Sequence, residues 1–244
     1  MYGLKEDFKA LSKVEINSTT RGLDIVLGDS IKNVKVWCEG VFTPEEREKI
    51  ERTKTLGELM TVANEVGAVI RTTDGLGDNL TRKDYVKDFV EVNVSEVSAK
   101  LNMQTLIAKS KEFLRARGLS DNDMNVMLSE DNADECALVP LALSMAECEN
   151  SSYIAQQKLQ MASSYSIFAT QAYAAVDWGE VWHCTKYALG IDIVNAIVQN
   201  GTRKWTKVLI KKMFKTMVSR TCTPVAAVIV TASFVSCMNG YEIF

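Results

Sequence analysis

His183 is the single histidine of this 244-residue chain, and it stands beside Cys184. That makes the two the first place to look for a nucleophile and its base. Consecutive residues on a helix point about 100° apart, so the pair cannot align as acyl-transfer chemistry requires. The six cysteines (Cys38, Cys136, Cys148, Cys184, Cys222 and Cys237) form no CxxC. They fall mostly within apolar stripes and lack the close pairs of a zinc site, so they read as small buried hydrophobes. The segment DNDMNVMLSEDN (121–132) opens like a calcium loop, with oxygen-bearing residues at alternate positions. However, Val126 stands where the sharp turn needs glycine and Asn132 where a bidentate Glu is required, which leaves a capped helix followed by an acidic turn. DGLGD (74–78) lacks the third glycine and the Lys-Ser or Lys-Thr of a phosphate cradle, and reads as a turn. The expectation is a protein that is not an enzyme, with no catalytic residue, metal or cofactor.

The candidate that remains is electrostatic. In the run TRKWTKVLIKKMFKTMVSR (202–220), Lys204, Lys207, Lys211 and Lys215 recur at helical spacing on one face, and Arg203, Lys212 and Arg220 widen the patch. Trp205, Leu209, Met213 and Met217 fall on another face. The four lysines span ~17 Å at a rise of 1.5 Å per residue. That spacing suits a polyphosphate backbone, and Trp205 could stack on a base. The same pattern also describes the solvated face of an ordinary amphipathic helix.

The net charge of −3 conceals a strong asymmetry. Residues 193–244 carry seven Lys plus Arg and one acid, Glu242, while the rest of the chain is −9. The acidic pole is sharp: between Arg117 and Lys158 lie eight acids (Asp121, Asp123, Glu130, Asp131, Asp134, Glu135, Glu147 and Glu149) and no basic residue. An acidic 118–157 surface and a basic 203–220 surface could meet head to tail between subunits and build rings or filaments.

Composition indicates what positions these surfaces. Apolar residues make up 47% of the chain, enough for a sizeable core, and only Pro44, Pro140 and Pro224 interrupt helix-forming sequence. The fold class expected is mainly α: a multi-helix, bundle-like domain with a small N-terminal β-hairpin. Residues 1–20 read as an arm, 21–79 as a small lobe with the hairpin and short helices, 80–220 as a helical core, and 221–244 as an apolar C-terminal tail. The hairpin is expected from LDIVL (23–27) and NVKVWC (33–38), β-branched runs bracketing a Gly-Asp-Ser turn. Thr43-Pro44-Glu45-Glu46 signals a helix start, with further helices at 56–66, from Ser95 to Gly118, at 121–129, between Cys136 and Glu149, at 152–175 and at 177–201. Val225 to Met238 is uncharged and, at fourteen residues, shorter than the ~20 that span a bilayer. It fits a buried element or a docking tail better than a membrane anchor. The opening MYGLKEDFKALSK lacks an apolar h-region, so no export signal is expected, and thiols are expected to be reduced in a cytoplasmic setting, or in a virion.

Val176-Asp177-Trp178-Gly179-Glu180-Val181, preceded by Phe168-Ala169-Thr170, resembles the helix-opening motif of Bcl-2-type apoptosis regulators. That resemblance, over 168–181, implies a membrane-associated helical regulator with a C-terminal anchor, and it is the alternative reading. The leading expectation rests on organisation: size, arm, tail and charge separation are similar to those of nucleocapsid and coat proteins of RNA viruses. It implies a homo-oligomer that binds single-stranded nucleic acid, RNA in particular, through 203–220.

Overall fold

The computed structural model describes residues 5–16, 31–38, 40–72, 88–146 and 205–238. It is mostly helical, with one small three-stranded antiparallel sheet. In chain order the elements are α1 (Lys5–Lys9), β1 (Ile31–Cys38), α2 (Pro44–Arg52), α3 (Leu56–Glu65), β2 (Val69–Thr72), β3 (Asp88–Ser95), α4 (Glu96–Arg115) and α5 (Asp121–Glu130). α6 (Glu135–Ala146), α7 (Lys207–Thr221) and α8 (Pro224–Met238) follow. The expected helices at 152–175 and 177–201, the motif at 168–181, the turn at 74–78 and the pair His183–Cys184 all lie outside the described residues.

Local chemistry explains where the helices begin. Thr43 and Glu46 form a reciprocal capping box around Pro44, and Ser120 and Asp123 form another at the start of α5. Thr55, Ser95 and Thr206 each cap a helix with a side-chain oxygen. Beyond α4 the chain turns at Gly118, whose φ of 88° favours a residue without a Cβ.

The strand signal at 33–38 is β1, which lies in a three-stranded sheet; the hairpin expected with 23–27 is not confirmed. β1 is the central strand of the order β2-β1-β3. Val34 and Val36 lie opposite Thr72 and Ile70 on one side and Val92 and Val90 on the other. A strand has two edges, and over 34–37 β1 has used both; residues 23–27 lie outside the described residues. Alternation then sorts the sheet. Val34, Val36, Ile70, Val90, Val92 and Val94 are buried, while Asn33, Lys35, Trp37, Phe89, Glu91 and Asn93 lie on the opposite face.

Residues 5–16, read from sequence as part of an arm, are bound to their own chain. Phe8, Leu11, Val14 and Ile16 are buried. The Ile16 N–H donates to the Lys54 carbonyl (2.9 Å), the Leu56 N–H to Val14 (2.8 Å) and the Ser95 N–H to Glu15 (3.2 Å). Asp7 is ion-paired to Lys109 of α4. The chain packs so closely here that a Cβ at Gly57 would lie 2.8 Å from the Ser12 Cβ.

Two apolar clusters fill the interior. The first joins residues 8–16, the sheet, α2, α3 and the start of α4 to α8. The second joins the end of α4 and α5 to α7. α6 divides itself between them: Cys136, Val139 and Leu143 face the first, and Ala137, Leu138, Leu141 and Met145 the second. α8, whose sequence left core, docking and membrane readings open, is buried on every side against α4, α6, α7 and β2. Its Thr231 hydroxyl donates to the Ala227 carbonyl at 2.7 Å, so that buried polar group is satisfied within the helix. Cys38, Cys136 and Cys222 are free, whereas Cys237 is disulfide-bonded, in departure from the expectation of reduced thiols. No CxxC spacing announces that bond, because tertiary packing sets which cysteines meet.

Two stability outcomes follow. Phe234→Ala opens a cavity beneath the sheet and should lower unfolding free energy by about 3–5 kcal/mol in urea titration; a loss under about 1 kcal/mol would remove α8 from the core. Gly57→Ala, usually a stabilising change within a helix, should instead destabilise by about 1–3 kcal/mol because the new methyl displaces Ser12.

Candidate nucleic-acid interface

α7 packs through Ile210, Met213, Phe214, Met217, Val218 and Thr221, a stripe at the spacing of one helical face. The apolar face read from sequence was rotated from this one. Met213 and Met217 belong to the stripe, but Leu209 and Trp205 are only half-buried at its margin, and Ile210, Phe214 and Val218 are the residues that pattern missed. The i, i+3, i+4 rule admits both stripes in this run, since apolar residues occupy positions 208–210, 213–214 and 217–218; only the position of α6 and α8 selects between them. Trp205 packs against the second cluster, which occupies part of the ring surface expected to meet a base.

The basic side of α7 faces outward. Lys207, Lys212 and Lys215 are exposed, Lys211 is half-buried, and Val208 between them is 78% exposed. Arg220 is half-buried near the C-terminal end, and Arg203 and Lys204 lie outside the described residues. Lys207 Nζ donates to Asp123 Oδ2 of α5 at 2.7 Å. Further along, Lys211, Lys212 and Lys215 line a cleft of about 440 Å³ with Glu130, Asp131, Met127 and Phe214. Among the described residues these three lysines have no ion-pair partner, so the cleft carries one more positive than negative charge.

The acidic stretch is the other half of this site. Four of its six described acids are paired with cations of the same chain. Asp121 takes Arg115 (2.8 Å), Asp123 takes Lys207, Asp134 takes Lys100 (2.7 Å) and Glu135 takes Lys111 (2.7 Å). Three of these cations, Lys100, Lys111 and Arg115, belong to α4 and one, Lys207, to the basic run of α7.

The titration behaviour follows from these contacts. Hydrogen bonds from Lys207 and from the Ser120 hydroxyl and N–H hold the Asp123 carboxyl well below its ordinary value of 3.8. The Arg47 guanidinium, 2.6 Å away, and the Phe42 N–H do the same for Asp88. Burial pushes Asp134 upward, but hydrogen bonds from Lys100 and the Cys136 N–H outweigh it, and the net shift is down. Burial raises the Cys136 thiol far above its usual range, so it is not a thiolate nucleophile. Among the described residues, no three His, Cys, Asp or Glu side chains are grouped to hold a metal ion.

No family model, no curated protein and no solved structure matches this chain. The reading of the site therefore rests on its own geometry.

A carboxyl depressed in the folded state stabilises the fold above its unfolded value, and that contribution is lost as pH falls. Melting temperature should therefore decline as pH drops from about 5 through 4 and below, as Asp88, Asp123 and Asp134 take up protons. Lys207→Met, which removes the largest cause of the Asp123 shift, should make that decline shallower. Thermal scans across this pH range check it, and an unchanged slope would mean that the Lys207–Asp123 contact does not persist in solution.

Proposed function

We propose that this chain is a non-enzymatic, self-assembling protein that binds single-stranded nucleic acid, of nucleocapsid or coat type, with α7 as its polyanion contact. The observation that carries this reading is the row Lys211, Lys212 and Lys215: three neighbouring cations without acidic partners among the described residues, beside an acidic stretch in which four of six described carboxylates are paired. Neutralising the acidic stretch from α4 and α7 also favours it. A polyanion approaching α7 meets fewer bare carboxylates than the net charge of −3 implies. The bundle-like packing of α4, α6 and α7 around α8 is the body of such a subunit. Assembly through the acidic 118–157 and basic 203–220 surfaces then falls, among the described residues, to the acids without an ion pair, Glu130 and Asp131.

The membrane-associated alternative has less support. No single described helix is long and apolar enough to cross a bilayer, and α7 and α8 meet at a bend of 103°. α8 is ~22 Å long at 1.5 Å per residue, short of a hydrocarbon core of ~30 Å. Inserting it would strip the first cluster of Val225, Val228, Ile229 and Phe234.

Two measurements test the proposal. Filter binding of oligouridine at low salt should show retention, with log affinity falling by about 0.7 per neutralised phosphate against log salt. Lys211→Glu, Lys212→Glu and Lys215→Glu together should lower affinity at least a hundredfold and flatten that slope by about 2; retention by the triple variant at the parent's affinity would end the reading. Light scattering at high concentration should report oligomers, and a strict monomer would remove self-assembly from it.

A further inference from the structure

The sheet has one face in the core and one face toward solvent, and the outer face is not an ordinary polar surface. Trp37 of β1 and Phe89 of β3 are direct cross-strand partners, with ring centroids 4.8 Å apart and planes tilted by 47°. Phe89 is 36% exposed and Trp37 is half-buried. Lys35 stands over the Phe89 ring, its Nζ 4.2 Å from that centroid and 5.6 Å from that of Trp37. One rung further along, Asn33 and Asn93 face each other across the same ladder, and Ile31 beyond them is 42% exposed. A solvent-facing strand position usually carries a small or charged residue; two large aromatics there expose apolar area that folding alone does not require.

We infer that the outer face of the sheet is a second contact for single-stranded nucleic acid, with unstacked bases lying on Trp37 and Phe89 and a phosphate taken by Lys35. This deepens the α7 reading and rests on it. A cation beside two aromatic rings is the pairing that can take a phosphate and the faces of bases. Lys35 has one acidic partner, Glu91, at a long 3.7 Å, and the Glu91 side chain is 50% exposed. If Lys35 turns to a phosphate, Glu91 remains hydrated and no buried charge is stranded, so the exchange costs little. The Arg47 guanidinium at the margin of the sheet already satisfies Asp88, which keeps that carboxylate from repelling the backbone. A ring face for a base and a cation for a phosphate are the two contacts that a nucleotide offers. Duplex bases, stacked on one another, cannot present their faces in this way.

The test uses the full chain and a short oligouridine carrying 5-iodouridine, irradiated at low salt, with crosslinked peptides identified by mass spectrometry. Adducts on Trp37 or Phe89 that unlabelled oligouridine competes away are the expected result. In parallel, Trp37→Ala should lower affinity roughly tenfold while leaving the salt dependence unchanged, because stacking releases no counterions. Lys35→Ala should flatten the salt slope by about 0.7. The crosslink on the unaltered protein stands even if the tryptophan variant folds poorly. Adducts confined to 205–221 would overturn the sheet contact and leave α7 intact; an oligouridine that neither crosslinks nor is retained would overturn both.

Discussion

A fifteen-residue helix with no charged residue has to be enclosed, and the arrangement of every other described element answers to that constraint. α8 carries apolar or small side chains around its whole circumference, so it has no face to give to water. A helix that is hydrophobic all round belongs to a core or a membrane. Here β2 closes one side of it, while α4, α6 and α7 close the others. α6 has the same character on a smaller scale, and by facing both clusters it joins the sheet side of the molecule to the α5–α7 side. The buried hydroxyls of Ser144, Thr221 and Thr231 each donate to a carbonyl one turn back, which lets these helices enter the core without unpaired polar groups at those positions.

Enclosure of α8 also sets the electrostatics. α7 must lie across it and offer Ile210, Met213, Phe214 and Met217 inward, so its lysines can only point outward and toward α5. That brings the basic run against the acidic one. Lys207 reaches Asp123, while Lys211, Lys212 and Lys215 rim a cleft opposite Glu130 and Asp131. Exposed ion pairs of this kind each add little to stability. Their larger effect is to pair four of the six described carboxylates of the acidic stretch, leaving Glu130 and Asp131 facing the three lysines of the cleft.

The sheet offers a different surface by the same logic. Its inner face supplies valines to the first cluster, and the pleat forces the intervening residues outward. What stands there, Trp37, Phe89 and Lys35, is a choice that enclosure of the core does not dictate.

Much of the helical framework was legible from residue types alone. Thr43-Pro44, Ser95, Ser120 and Gly118 mark helix ends because caps and left-handed turns depend on chemistry local to a few residues. The run of uncharged residues in α8 and the cationic spacing of α7 were equally plain. What could not be read is whatever depends on partners distant in sequence. The strand at 33–38 is recognisable, but its partners at 69–72 and 88–95 are not, since any β-branched run can pair with it and the nearest one at 23–27 is the natural guess. The buried stripe of α7 was rotated because two stripes share one periodicity. That Lys207 of the basic segment reaches Asp123 of the acidic one within the chain is likewise a contact between residues far apart in sequence. The composition of each segment is set by its own residues; which segments touch is set by the need to cover α8 from all sides at once, and that is a property of the whole fold.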